Sequence, residues 1–148
     1  RLGSVTGEEN TLTLHPLSWS LCLGAGALVA LAQLLQSLAA GTPAVVCAPE
    51  EGLAPLLSRM RDTGLPFVWL HQAPAAQALV EVTPLPLVAF VGDITEMRTV
   101  RRLIASRDGA IVRFSGAITD PLSYCVERHV CTDTTASGGN TALMLAAG

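Results

Sequence analysis

Charge is scarce in this sequence: only 14% of its 148 residues are Asp, Glu, Lys or Arg, and the formal net charge is −3. No basic stripe runs along it to neutralise phosphates, which argues against a nucleic-acid partner. The four cysteines form no CxxC pair and no secreted disulfide spacing, so a reducing, cytoplasmic setting is expected. Internal repeats and low-complexity tracts are absent. Leu21 to Ala40 contains no charged residue and is long enough to span a bilayer, but Gly24, Gly26, Gln33 and Gln36 interrupt it and no basic cluster flanks it. No transmembrane segment is therefore expected. Arg1 and the polar run Gly7-Glu8-Glu9-Asn10 do not resemble a signal peptide, and the missing initiator Met suggests an excised piece.

What is there is apolar. Hydrophobic residues make up 50% of the chain and the mean hydropathy is +0.47, so part of the surface is expected to face a partner. The length suits one domain with a real core.

Strand-like and helix-like runs alternate. Strands are predicted at Trp19–Leu23, Ala44–Cys47, Pro66–Leu70, Leu87–Val91 and Ala110–Phe114. Helices are predicted at Ala27–Ala40, Glu51–Thr63, Pro74–Val82 and Asp93–Ser106, with Leu53, Leu56, Leu57 and Met60 forming the apolar face of the second. Continuous apolar strands separated by helices imply an α/β fold with a doubly wound, mostly parallel sheet. Thr11–Leu14 alternates like a half-exposed strand, giving an N-terminal β arm. The expected division is a Rossmann-like body at 1–118, with 1–18 as β arm and entry strand, and a C-terminal hairpin and tail at 119–148.

Four features invite a chemical reading. Gly24-Ala25-Gly26 follows the first sheet strand, but the dinucleotide fingerprint wants a small residue three places after its second glycine, where Val29 stands. In "FVGDITE", Asp93 and Glu96 have the spacing of a capping box, which satisfies the helix amides and sets two carboxylates against any incoming phosphate. Cys22 and Cys47 read as core, as do Trp19 and Trp69. Cys125, His129 and Cys131 do not have zinc spacing, and His15, His71 and His129 have no assignable catalytic partner. The ending "TTASGGNTALM" reads either as a disordered tail or as a segment docking on another surface, and its Leu and Met content and lack of charge suit the second.

From about Gly3 to Gly116 the chain resembles the cofactor-domain half of the aldehyde dehydrogenase superfamily, through "LHPLSWSLCLG", "LAAGTPAVVCAPEEG" and "LVAFVGDITEMRTVRR". "GEENTLTLHP" and "VERHVCTDTTASGGNTALM" resemble the C-terminal region of the long-form bifunctional proline utilisation A flavoproteins. The resemblance implies degenerate cofactor positions: Ala48 stands where the family carries its cofactor lysine, Glu51 matches the loop glutamate, Gly92 matches, and Asp93 replaces a serine. The active-site Pro-Trp-Asn segment is replaced around Ala25-Gly26-Ala27. The catalytic-cysteine domain has no counterpart, so no cysteine here inherits that role.

It implies no cofactor in this piece, with FAD and NAD in the parent enzyme. It also implies a non-catalytic domain packed on the parent's aldehyde dehydrogenase module and closing the cavity through which pyrroline-5-carboxylate passes. Thr134, Thr135, Gly138, Gly139, Asn140, Leu143 and Met144 would carry the docking. The implied location is cytoplasmic, with association of the parent to the inner membrane face left open. Two alternatives stand: a nucleotide-binding regulatory domain using backbone amides alone, and a self-associating domain forming a homo-oligomer when isolated. If lost side chains alone removed binding, Ala48→Lys with Asp93→Ser is expected to restore some NAD affinity.

Overall fold

The computed structural model describes residues 8–133. It divides into two units, 16–126 and the two flanks beyond them, and each is taken by itself. In the larger unit, strands β2 (Ser20–Leu23), β3 (Ala44–Cys47), β4 (Phe67–Leu70), β5 (Leu87–Phe90) and β6 (Arg113–Ser115) alternate with helices α1 (Ala27–Ala39), α2 (Ala54–Asp62), α3 (Ala76–Glu81) and α4 (Ile94–Ala105). The strands form one sheet in the order β4-β3-β2-β5-β6, with every pair parallel. This is the doubly wound α/β sheet that the alternation predicts.

Helices cover both faces, which is why β5 is apolar throughout and β2 is apolar apart from the hydrogen-bonded Ser20, rather than alternating. Leu34 and Ala30 of α1, with Leu57 and Met60 of α2, pack on Cys22, Val46, Trp69 and Ala89. On the other face, Leu79 of α3 and Val100, Leu103 and Ile104 of α4 pack on Leu21, Leu23, Cys47 and Val88. A buried polar chain crosses the first of these layers. Thr42 Oγ1 accepts from Leu17 N at 2.8 Å and donates to Tyr124 O at 2.8 Å, while Ser37 Oγ donates to Thr42 O and lies 2.7 Å from Ser20 Oγ. Each of these hydroxyls has a partner, so the chain fixes the C-terminal end of α1 and the 3-10 turn Pro121–Tyr124 at little desolvation cost.

Several expectations need correction. Leu56 is exposed, because only Leu57 and Met60 of α2 reach the sheet. That helix begins at Ala54 rather than Glu51, since Gly52 turns with φ +75° and Pro55 sits in the first turn. Trp19 is half-buried at the sheet margin, its indole N–H donating to Pro84 O at 2.9 Å. β6 is three residues long and begins at Arg113, because the turn at Gly109, φ +98°, carries 110–112 past the sheet and leaves Ile111 96% exposed.

In the smaller unit, β1 (Glu8–Pro16) pairs with β7 (Cys125–Asp133) as a two-stranded ribbon. Leu12, Leu14, Val126 and Val130 of these strands are exposed. β7 lies within the stretch expected to be hairpin and tail.

Candidate functional site

A doubly wound sheet presents its crevice outside the carboxyl ends of the strands where the winding reverses. Here that is between β2 and β5, the two neighbours from which the chain progresses in opposite directions. Three loops frame it: Gly24–Gly26 after β2, Ala48–Leu53 after β3, and Val91–Asp93 after β5.

In the first loop, Gly24 lies directly against helix α1. A Cβ added there would sit 2.4 Å from Ala30 N and 2.6 Å from Ala30 Cα. The close approach needed to lay the helix on the turn is made by Gly24 and the fully buried Ala30. Fingerprint reasoning points to position 29 and misses this, because the contact falls one residue later. The start of α1 at Gly26 has no side-chain cap and no acid in its first turn, and Ala25–Val29 with Glu51 line an open pocket of about 450 Å³.

The second loop contains Ala48, the position at which the resemblance implies a cofactor lysine in the family. Ala48 is 3% exposed and belongs to the core cluster beneath α1 and α2. Its N–H donates to Leu70 O at 3.0 Å and its carbonyl accepts from Trp69 Nε1 at 2.9 Å. This position is thus sealed into the core, whereas Glu51 is exposed. The neighbouring Glu50 has the loop's ion contacts, with Arg61 Nη2 at 3.6 Å and His71 Nε2 at 3.9 Å.

The third loop contains the capping box that its sequence predicts. Asp93 Oδ1 accepts from Thr95 N at 2.7 Å and Glu96 N at 2.8 Å, and Asp93 N donates to Glu96 Oε2 at 2.9 Å. Gly92 makes room for this, since a Cβ there would meet Glu96 Oε2 at 2.4 Å and the Phe90 ring at 2.8 Å. The first turn of α4 therefore holds two carboxylates where an anion would otherwise bind. The crevice thus combines a capped α4 turn with a buried alanine at position 48.

Two of the thiols, Cys22 and Cys47, lie in the sheet strands that end at the crevice. Burial pushes Cys22 up to about 12, against a smaller opposing effect of its Ser20 hydrogen bond, and burial raises Cys47 as well. Both are therefore held as thiols. Cys125 is buried with Sγ 3.5 Å from Leu122 O, Cys131 is exposed, and His129 lies 3.2 Å from Asn10 Oδ1. His15 Nε2 contacts Thr13 Oγ1 at 2.9 Å. Among the described residues, no three His, Cys, Asp or Glu side chains gather to hold a metal, and no helix is long and apolar enough to cross a membrane. Thr134, Thr135, Gly138, Gly139, Asn140, Leu143 and Met144 lie outside the described residues.

No family model matches the chain. It is 32% identical over 145 residues to the bifunctional protein PutA of Escherichia coli strain K12, and 33% identical over 144 residues to that of Salmonella typhimurium. Each alignment takes in 94% of this chain and 10% of the relative, so the chain spans about a tenth of the length of the curated relatives it matches. Among solved structures, a variant of Bradyrhizobium japonicum proline utilization A superposes with a TM-score of 0.63 at 21% identity, covering 76% of this chain and 13% of that one. A variant of Thermus thermophilus 1-pyrroline-5-carboxylate dehydrogenase gives 0.61 at 14% identity, covering 77% and 25%. A NAD-dependent benzaldehyde dehydrogenase from Corynebacterium glutamicum gives 0.58 at 14%, covering 78% and 28%. The chain is homologous to a segment of the PutA proteins and is structurally similar to their aldehyde-dehydrogenase-like domain.

Proposed function

We propose that the chain is a non-catalytic structural domain of a bifunctional proline-catabolic enzyme that converts proline to glutamate, with FAD and NAD bound elsewhere in the parent. In this reading it packs on the aldehyde dehydrogenase module and helps to close the cavity through which the pyrroline-5-carboxylate intermediate passes, in the cytoplasm. The observation that carries the reading is the state of the crevice: the anion-binding turn of α4 is taken by Asp93 and Glu96. The buried Ala48 agrees with it.

The ribbon supports the packing half. Two strands alone are marginal in water, and β1 and β7 leave Leu12, Leu14 and Val130 in solvent, so the ribbon calls for a partner surface. Residues 119–148, with Thr134, Thr135, Gly138, Gly139, Asn140, Leu143 and Met144, would complete the docking element beside the 1–118 body.

The test is a coupled assay in the parent enzyme. Deleting residues 134–148, which spares the buried Tyr124, should introduce a lag in NADH formation from proline and let the intermediate be trapped in solution, with proline oxidation by an artificial acceptor unchanged. Immediate NADH formation with nothing trappable would contradict the reading.

A second reading, a regulatory nucleotide site on backbone amides alone, draws on the uncapped start of α1 beside Glu51. It predicts NAD binding by this chain itself.

A further inference from the structure

All nine cationic side chains are arginines, and five of them, Arg98, Arg101, Arg102, Arg107 and Arg113, fall within residues 98–113, where Asp108 is the single acid. Two of the five serve the fold. Arg107 donates to the carbonyls of Leu79, Val80 and Val82, closing the C-terminal end of α3, and Arg113 Nη1 donates to Cys125 O at 2.7 Å.

The other three share one stripe of α4. Ile94, Arg98, Arg101, Arg102 and Ala105 are exposed along it, at helical spacing, beside the stripe of Val100, Leu103 and Ile104 that faces the sheet. Ile94 is 61% exposed. Among the described residues, Arg98, Arg101 and Arg102 have no acidic partner, and Glu96 is committed to the Asp93 amide. The stripe borders a groove of about 450 Å³ lined by Arg101, Ile104, Ile111, Val112 and Phe114. The Arg101 guanidinium lies over the Phe114 ring, 4.5 Å from its centroid.

We infer that this stripe and groove form the face that docks on the aldehyde dehydrogenase module, against a protein surface that presents carboxylates around one apolar side chain entering the groove. The inference rests on the docking reading above and names the face and its partner chemistry. Interfaces favour arginine and disfavour lysine, because the planar guanidinium is weakly hydrated and binds carboxylate in a fixed geometry. Stacking on Phe114 holds Arg101 in place before the partner arrives, so less side-chain entropy is lost on docking. The cations need carboxylates once water is excluded. The apolar groove, with Ile111 at its wall, supplies the buried anchor on which such interfaces depend. Phosphates of a nucleic acid are a poorer match in a chain of net charge −3.

The experiment uses the parent enzyme in the same coupled assay. The variant Arg98→Glu/Arg101→Glu/Arg102→Glu should produce a lag as long as that of the 134–148 deletion, and Ile111→Asp should produce one through the groove alone. Arg59→Glu, an exposed reversal on α2, should produce none. In the wild type, a lag should appear as salt rises from about 50 to about 300 mM and the screening length falls. All substituted positions are exposed, so thermal unfolding of the substituted variants should move little and a lag can be assigned to docking. A deletion that lags beside a triple variant that does not would overturn this inference and leave the docking reading standing. Equal lags for Arg59→Glu and the triple variant would overturn it as well. No lag from either the deletion or the triple variant would overturn both.

Discussion

Ala48→Lys, the change that the aldehyde dehydrogenase resemblance suggests for restoring cofactor binding, is expected to lower the stability of the domain by about 3 kcal/mol at neutral pH and to bring no NAD affinity. The side chain at this position is enclosed by the core beneath α1 and α2, and the backbone on both sides is bonded to β4 through Leu70 O and Trp69 Nε1. A lysine must either force that layer apart or give up its proton. The sign of the pH dependence follows. In the fold the ammonium would be desolvated and its pKa depressed, while in the unfolded chain it stays near about 10.4. The unfolded state then binds more protons at neutral pH, so the penalty is fully present below the folded-state value and fades as pH rises toward the unfolded one. Urea midpoints of wild type and variant at neutral and alkaline pH would show this as a converging pair. Equal midpoints at neutral pH would mean that the lysine reaches solvent and that the loop has kept more of the cofactor geometry than this account allows.

Gly24→Ala should cost about 3 kcal/mol, at the upper end of ordinary overpacking. The added methyl meets the backbone of Ala30, at 2.4 Å from its nitrogen, and a helix backbone cannot rotate aside as a side chain tip can. The whole of α1 must lift from β2, loosening the layer that contains Leu34 and the Ser20–Ser37 contact. Gly26→Ala provides the comparison, since nothing lies within 4 Å of a Cβ there. Thermal unfolding should separate the two variants clearly. A Gly24→Ala midpoint close to that of Gly26→Ala would show that the turn is not packed as described.

These two positions also show what was legible in the sequence. The sheet was, because β3 and β5 are continuous apolar runs and β2 is one apart from Ser20, with Gly24, Gly52 and Gly92 in the loops that follow them, and such signals are local. The capping box was legible for the same reason: its donors and acceptors lie within three residues of one another. Contacts between distant positions were not. Nothing in the stretch around Ala48 indicates that Trp69, 21 residues on, will donate to its carbonyl, so the resemblance exposes the lost lysine without exposing the sealed loop. The start of β6 was misplaced because Ile111 and Val112 look like strand residues, and only pairing with β5 shows that the ladder begins at Arg113. Trp19 looks like core by type, yet its strand begins one residue later at the sheet margin. The ribbon was half legible: β1 alternates, but β7 has the polar composition of a tail and is a strand because β1 pairs with it.

The central claim is that this domain kept an aldehyde-dehydrogenase-like sheet without nucleotide chemistry, and thermal unfolding of the 148-residue chain with and without millimolar NAD tests it most directly. A ligand at about 100 times its dissociation constant stabilises a fold by about 2.7 kcal/mol, a shift that is easily measured. The account predicts an unchanged midpoint. A saturable rise would contradict it and would put the regulatory nucleotide site at the start of α1, beside Glu51, in its place.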